Sequence, residues 1–149
     1  MTMELREFGP VELVAFAFEN NRIPEDVVAA ISNVPSAIAT LLDAAIVVHD
    51  DAGVPQVFEY EAARALHDIP ELELEAIGIA AEEDALELAA DLPPGSAALV
   101  VAFEHTWLRG VTAALDASGG SLLSEVRIPA AVMNEIATVA IIEEMETES

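Results

Sequence analysis

The sequence predicts an α+β domain in which short buried strands alternate with helices. Three runs rich in Val, Ala and Phe are typical of buried strands: residues 11–18, 46–48 and 97–103. Pro24 and Pro129 suit the first turn of a helix, and Gly119 suits the position just after one. We therefore expect a ferredoxin-like two-layer sandwich, built from two split β-α-β halves with an inserted helical segment.

The first half is predicted to occupy residues 11–60. Residues 11–18 (VELVAFAF) form its first strand, and a helix follows from Pro24. Residues 37–49 could form a helix or a strand, but the β-branched residues at 46–48 favour a strand. The acidic turn at residues 50–53 then predicts a hairpin that returns along residues 54–60.

The middle of the chain carries mixed signals. A short helix fits residues 61–67, whereas residues 71–75 (ELELE) alternate with the period of a strand. Residues 81–92 place apolar side chains on one helical face, and the Pro-Pro-Gly at 93–95 ends that helix. This is the inserted helical segment of the predicted fold.

The second half is predicted to occupy residues 97–128. A strand over 97–103 is followed by a helix over 106–117, which Gly119 and Gly120 terminate. Residues 121–128 (SLLSEVRI) are predicted to form the closing strand. A last helix begins at Pro129, so we expect one domain over residues 1–142 and an acidic flexible tail over 143–149.

Polar residues follow the first strand of each half. Glu19 and Asn20 come after one strand, and Glu104 and His105 come after the other. If these two strands are parallel, right-handed crossovers place both junctions at one sheet edge. The four side chains could then offer oxygen ligands to a cation or a Glu-His acid/base pair. The alternative is that they cap helices and form turns.

Histidine and carboxylate groups occur together at one other place, the predicted hairpin tip. His49, Asp50 and Asp51 are weak candidates for a metal site, because acidic hairpin tips commonly satisfy only the backbone of the turn. The three histidines of the chain lack the i, i+3 or i, i+4 spacing that pairs ligands on a helix. No phosphate-binding glycine loop or serine-nucleophile motif occurs, so no cofactor is expected.

The charge of the chain disfavours two classes of partner. There are 28 Asp and Glu residues against five basic residues, which gives a net charge of −23. All five basic residues are single, scattered arginines, so they form no basic patch for nucleic acid or an anionic membrane. The N-terminus lacks a signal-peptide pattern and no apolar run is long enough to span a bilayer, so we expect a cytoplasmic protein.

Several packing and turn motifs together resemble one known family. They are GPVELV at 9–14, DDAG at 50–53, PGSAALV at 94–100, EHTW at 104–107, and GG at 119–120 with RIPA at 127–130. This combination is similar to an uncharacterised family of small proteins, a domain of unknown function that is common in high-GC bacteria. The family has a distant relative labelled a predicted membrane protein. The resemblance implies a fold and supplies no reaction.

Three classes of function remain open on this reading. The first is a non-enzymatic interaction or regulatory module that self-associates as a homo-oligomer or binds a protein partner. The second is a divalent-cation or small-ligand binding protein that uses the carboxylates at the strand-helix junctions. An enzyme built on Glu104 and His105 is the least favoured, because the sequence carries no catalytic signature.

Overall fold

The structure, a computed structural model, describes residues 8–20, 22–66, 69–76, 78–79 and 81–147. This part of the chain contains four strands and five helices. In chain order they are β1 (Val11–Phe18), α1 (Glu25–Ser32), β2 (Thr40–His49), β3 (Pro55–Glu59), α2 (Tyr60–Leu66), α3 (Glu82–Leu88), β4 (Ala97–Glu104), α4 (Trp107–Ser118) and α5 (Ala130–Thr147). The chain divides into two compact units, Met1–Ala114 and Leu115–Ser149.

The N-terminal unit is built on a four-stranded antiparallel sheet with the order β1-β4-β2-β3. Because β1 and β2 are both antiparallel to β4, they are parallel to each other with β4 between them. By the same reasoning β3 is parallel to β4, with β2 between them. The sheet therefore contains two β-α-β units, one that joins β1 to β2 through α1 and one that joins β3 to β4 through α2 and α3. In each unit, a strand of the other unit lies between the two parallel strands.

Helices cover both faces of this sheet. On one face, β2 and β4 pack with α1 and α2 in a cluster that contains Val28, Ile46, Tyr60 and Leu99. On the other face, α3 packs on the sheet through Ala85 and its neighbours. The prediction of a two-layer sandwich is therefore corrected, since the sheet lies between two helical layers. The α+β class is confirmed, and the ferredoxin-like assignment stays a prediction.

The predicted closing strand at residues 121–128 is wrong. This segment forms no strand, and Leu123 and Val126 are 95% and 84% exposed. Its composition suits a strand, but the segment pairs with neither of the edge strands, β1 and β3. The second β-α-β connection instead runs from β3 to β4, so the predicted second half at residues 97–128 is not a β-α-β unit.

The alternating residues 71–75 lie beside the sheet without joining it. The backbone N–H groups of Glu75 and Ala76 donate to the carbonyl oxygens of Leu41 and Leu42, where β2 bulges. Asp43 follows the bulge and is buried, and its carboxylate accepts from the backbone N–H of Gly78 at 2.9 Å. These bonds hold the loop against the part of β2 that β3 does not reach.

The C-terminal unit consists of the end of α4, a connection and α5. Gly119 has a φ of +79°, and the N–H of Gly120 donates to the carbonyl oxygen of Leu115 at 2.8 Å. This glycine termination of α4 matches the prediction. The long helix α5 continues to Thr147, so residues 143–147, expected to form a tail, are helical.

The single tyrosine of the chain provides a test of the core. Tyr60 is 1% exposed, and its hydroxyl donates to the carbonyl oxygen of Pro70 at 2.5 Å. Burial raises the pKa of Tyr60 to about 12 from 10.0, although Arg64 lowers it in part. Since the chain has no lysine, few other groups titrate in that pH range.

We expect the folded protein to lose about 2 to 3 kcal/mol of its free energy of unfolding as the pH rises from about 10 to 12. The folded pKa is the higher one, so the stabilising effect is complete below pH 10 and is lost above it. Tyrosinate absorbance measures this single residue directly, and urea unfolding measures the stability. The Tyr60→Phe variant should show no such loss, and an equal loss in that variant would contradict the assignment.

Candidate functional site

The antiparallel pairing of β1 and β4 separates the two predicted junctions. Val11 lies opposite Glu104, and Phe18 lies opposite Ala97. Seven residues of strand span about 24 Å, so Glu19 and Asn20 lie at the far end of the sheet from Glu104. The prediction that the junctions converge required parallel strands and is wrong. A role for each pair in binding stays a prediction.

Glu104, at the end of β4, is the buried centre of an ionic cluster whose cation, Arg109, has a side chain that is 41% exposed. The Glu104 side chain is completely buried and accepts two hydrogen bonds from the Arg109 guanidinium, at 2.5 and 2.9 Å. The backbone N–H of Gly9 donates a third, at 2.6 Å. The hydrogen bonds from Arg109 to this carboxylate raise the pKa of the guanidinium. Glu104 therefore joins the start of β1 to the first turn of α4.

Gly9 makes this arrangement sterically feasible. A Cβ atom at that position would lie 3.1 Å from the carbonyl oxygen of His105 and 3.4 Å from the Glu104 carboxylate. The chain before β1 can approach both residues because glycine has no side chain. The GP pair that precedes β1 thus has a packing role at this cluster.

His105 lies on the opposite face of the sheet from Glu104. Its Nε2 is 2.8 Å from a carboxylate oxygen of Glu12, and its ring meets Phe103 edge to face at 5.3 Å. Successive residues of a strand point to opposite faces, which explains why the adjacent Glu104 and His105 have different partners. They do not form the predicted Glu-His pair.

The hairpin tip shows the turn chemistry that was the alternative to a metal site. The Asp50 carboxylate accepts from the backbone N–H groups of Ala52 and Val54, at 2.9 and 2.8 Å. His49 is buried, and its backbone bonds to residues 95 and 96. Among the described residues, no three His, Asp or Glu side chains converge as a metal site would require.

Among the clefts on the described residues of the N-terminal unit, two concern the candidate sites. Glu19 and Asn20 line a shallow one of about 620 Å³ together with Arg22, Glu25 and Asp26. The other, here named the α1 cleft, has a volume of about 570 Å³ and lies beside α1. The sheet residues Phe16, Leu41, Val101 and Phe103 line it, as do Ile31, Val34, residues 39–40 and residues 71–75. Sequence reasoning missed this cleft, although the alternation at 71–75 marked one of its walls.

The C-terminal unit presents a different kind of surface. No residue of α5 is buried. Eleven large apolar side chains between residues 122 and 145 are each at least 43% exposed. None of the helices in the described residues is both long and apolar enough to span a membrane.

Comparison with protein families identifies the chain. The model of a family of unknown function, DUF6325, matches residues 7–147. The chain belongs to this family. The DUF6325 match confirms the predicted resemblance to a domain of unknown function, while the high-GC bacterial source and the membrane-labelled relative stay predictions. No curated protein and no solved structure matches the chain.

We expect Glu104→Gln to lower the free energy of unfolding by about 1 to 3 kcal/mol, because the buried NH2 group of the new amide meets the donors of Arg109 and Gly9 and finds no acceptor there. Urea unfolding measures the loss. The matched control is Glu61→Gln, which removes the acid of the exposed ion pair with Arg64 at 3.0 Å. That change should alter the stability by less than about 1 kcal/mol. Similar losses in the two variants would show that the Glu104 cluster does not stabilise the fold.

Proposed function

We propose that this chain is a non-enzymatic interaction module that self-associates through its C-terminal unit. The observation that carries the proposal is the exposure of the apolar side chains between residues 122 and 145. Monomeric proteins seldom leave a large apolar surface in water, and such surfaces mark sites of association. A stable interface takes about 20 to 30 residues from each partner, which a unit of this size can supply.

The helix α5 supports the proposal because it lacks the packing that stabilises helices. Most of the stability of a helix in a protein comes from burial of an apolar face, and α5 buries none of its residues. At about 100° per residue, Val132, Met133, Ile136 and Val139 share one side of the helix. Residues 141, 142 and 145 lie on the opposite side. The first of these two sides is an apolar surface about two turns long.

A second copy of α5 suits this surface because it offers the same apolar side and a favourable arrangement of charge. In an antiparallel pair that crosses near Ile136, Val132 lies beside Ala140 of the other copy. Glu143 then lies beside Pro129, at the positive end of the other helix dipole. The contact is symmetric, as in most homodimers. It also keeps the acidic last turns of the two helices apart, which matters in a chain with a net charge of −23.

The mass in solution tests the proposal. We expect a dimer with twice the chain mass of 15.7 kDa, and we expect salt to strengthen it by screening the repulsion between the acidic copies. Sedimentation equilibrium at low and high NaCl measures both effects. Ile136→Gln with Val139→Gln should weaken dimerisation at least tenfold, whereas Asn134→Gln with Thr138→Gln, on the side of α5 opposite Ile136, should leave it unchanged. A monomer at every concentration would refute the proposal.

Disulfide cross-linking tests the orientation, because the chain has no cysteine of its own. In the antiparallel pair, Ile136→Cys places two thiols at the crossing point and should cross-link. Val132→Cys places its two thiols about 12 Å apart along the helices, which is too far for a disulfide. Cross-linking of Val132→Cys would indicate a parallel pair instead.

A further inference from the structure

We propose that the α1 cleft binds an organic cation, a molecule with an apolar body and a protonated primary amine. The cleft lies wholly within the N-terminal unit. This inference therefore stands apart from the proposed self-association. It rests on three observations: the apolar floor, the acidic wall and the backbone of that wall.

The floor of the cleft suits an apolar body. Phe16, Leu41, Val101 and Phe103 come from three adjacent strands and share the α1 face of the sheet. Phe16 is 38% exposed, so apolar surface is open to a ligand there. The volume of about 570 Å³ falls within the range of small-molecule sites, which are largely apolar with a few polar groups.

The acidic wall sets the charge of the ligand. Glu71, Glu73 and Glu75 line the cleft, and no Lys or Arg is among its described lining residues. Leu72 is buried in the core, so the glutamates that alternate with it lie on the exposed side of the segment, at the rim of the cleft. Alternate residues are about 7 Å apart, so two of these carboxylates can face one cation there. Glu75 also interacts electrostatically with Arg109. Glu71 and Glu73 are therefore the residues on which the attraction of a ligand depends.

The backbone of the same wall favours a primary amine over a quaternary ammonium. Residues 71–74 belong to no strand and make no backbone hydrogen bond with other described residues. Because this segment is not part of the sheet, its carbonyl oxygens can accept hydrogen bonds from a ligand beside the carboxylates. A protonated primary amine has three N–H donors and no acceptor, which matches a wall made of acceptors. A quaternary ammonium has no N–H to donate.

Three probes with the same chain length separate the apolar and charged contributions. Octylamine should bind saturably and shift the backbone amide resonances of residues 31–41 and 71–75 in two-dimensional NMR. Octanol, which lacks the charge, should bind at least threefold more weakly, and octanoate should not bind because the wall repels it. Equal binding of all three probes, or octylamine shifts spread over the whole surface, would overturn the proposal.

Paired variants distinguish this site from general attraction to an acidic protein. Glu71→Gln with Glu73→Gln should raise the dissociation constant of octylamine about threefold to tenfold. Glu82→Gln with Glu83→Gln causes the same change in net charge on α3, outside the cleft, and should change the constant less than twofold. Equal weakening by the two pairs would overturn the proposal, since it would show that the overall charge alone attracts the amine.

Discussion

The N-terminal unit depends on β4 as its central strand. It hydrogen-bonds to β1 on one side and to β2 on the other, and residues 97–102 are buried. Leu99 and Val101 pack on the α1 face, while Ala98 and Val100 pack on the α3 face. Glu104 then ends the strand and bonds both to Gly9 and to Arg109. The eight residues of β4 therefore contribute to the packing on both faces of the sheet, and they also hold the chain just before β1 in place.

The elements that could be predicted are those with strong local signals. The runs at 11–18 and 97–103, the β-branched end of β2, and the glycine termination of α4 correspond to elements of the structure. The pairing of strands could not be derived, because the direction of β1 relative to β4 depends on contacts between distant residues. Residues 121–128 show the limit most clearly. Their composition suits a strand, yet a strand also needs a partner edge.

The site was harder to predict than the fold, for the same reason. Glu104 was identified as a chemical candidate, but its burial against Gly9 and Arg109 follows from the antiparallel register. Glutamate and leucine alternate at residues 71–75, and this pattern predicts an extended segment. It does not predict the cleft that the segment borders. The scattered arginines led to a different prediction, that the chain has no basic patch for nucleic acid or an anionic membrane, and this stays a prediction.

The central place of β4 also constrains the order in which the sheet can be assembled during synthesis. β2 and β3 are close in sequence and can pair as a hairpin early, whereas β1 pairs with β4 alone among the described strands. Between Phe18 and Ala97 the ribosome must add 78 further residues (19 to 96). At roughly 5 to 20 residues per second, the apolar β1 stays unpaired for about 4 to 16 s. Nascent chains of this protein should therefore recruit chaperones until β4 has been synthesised and can pair with β1 and β2.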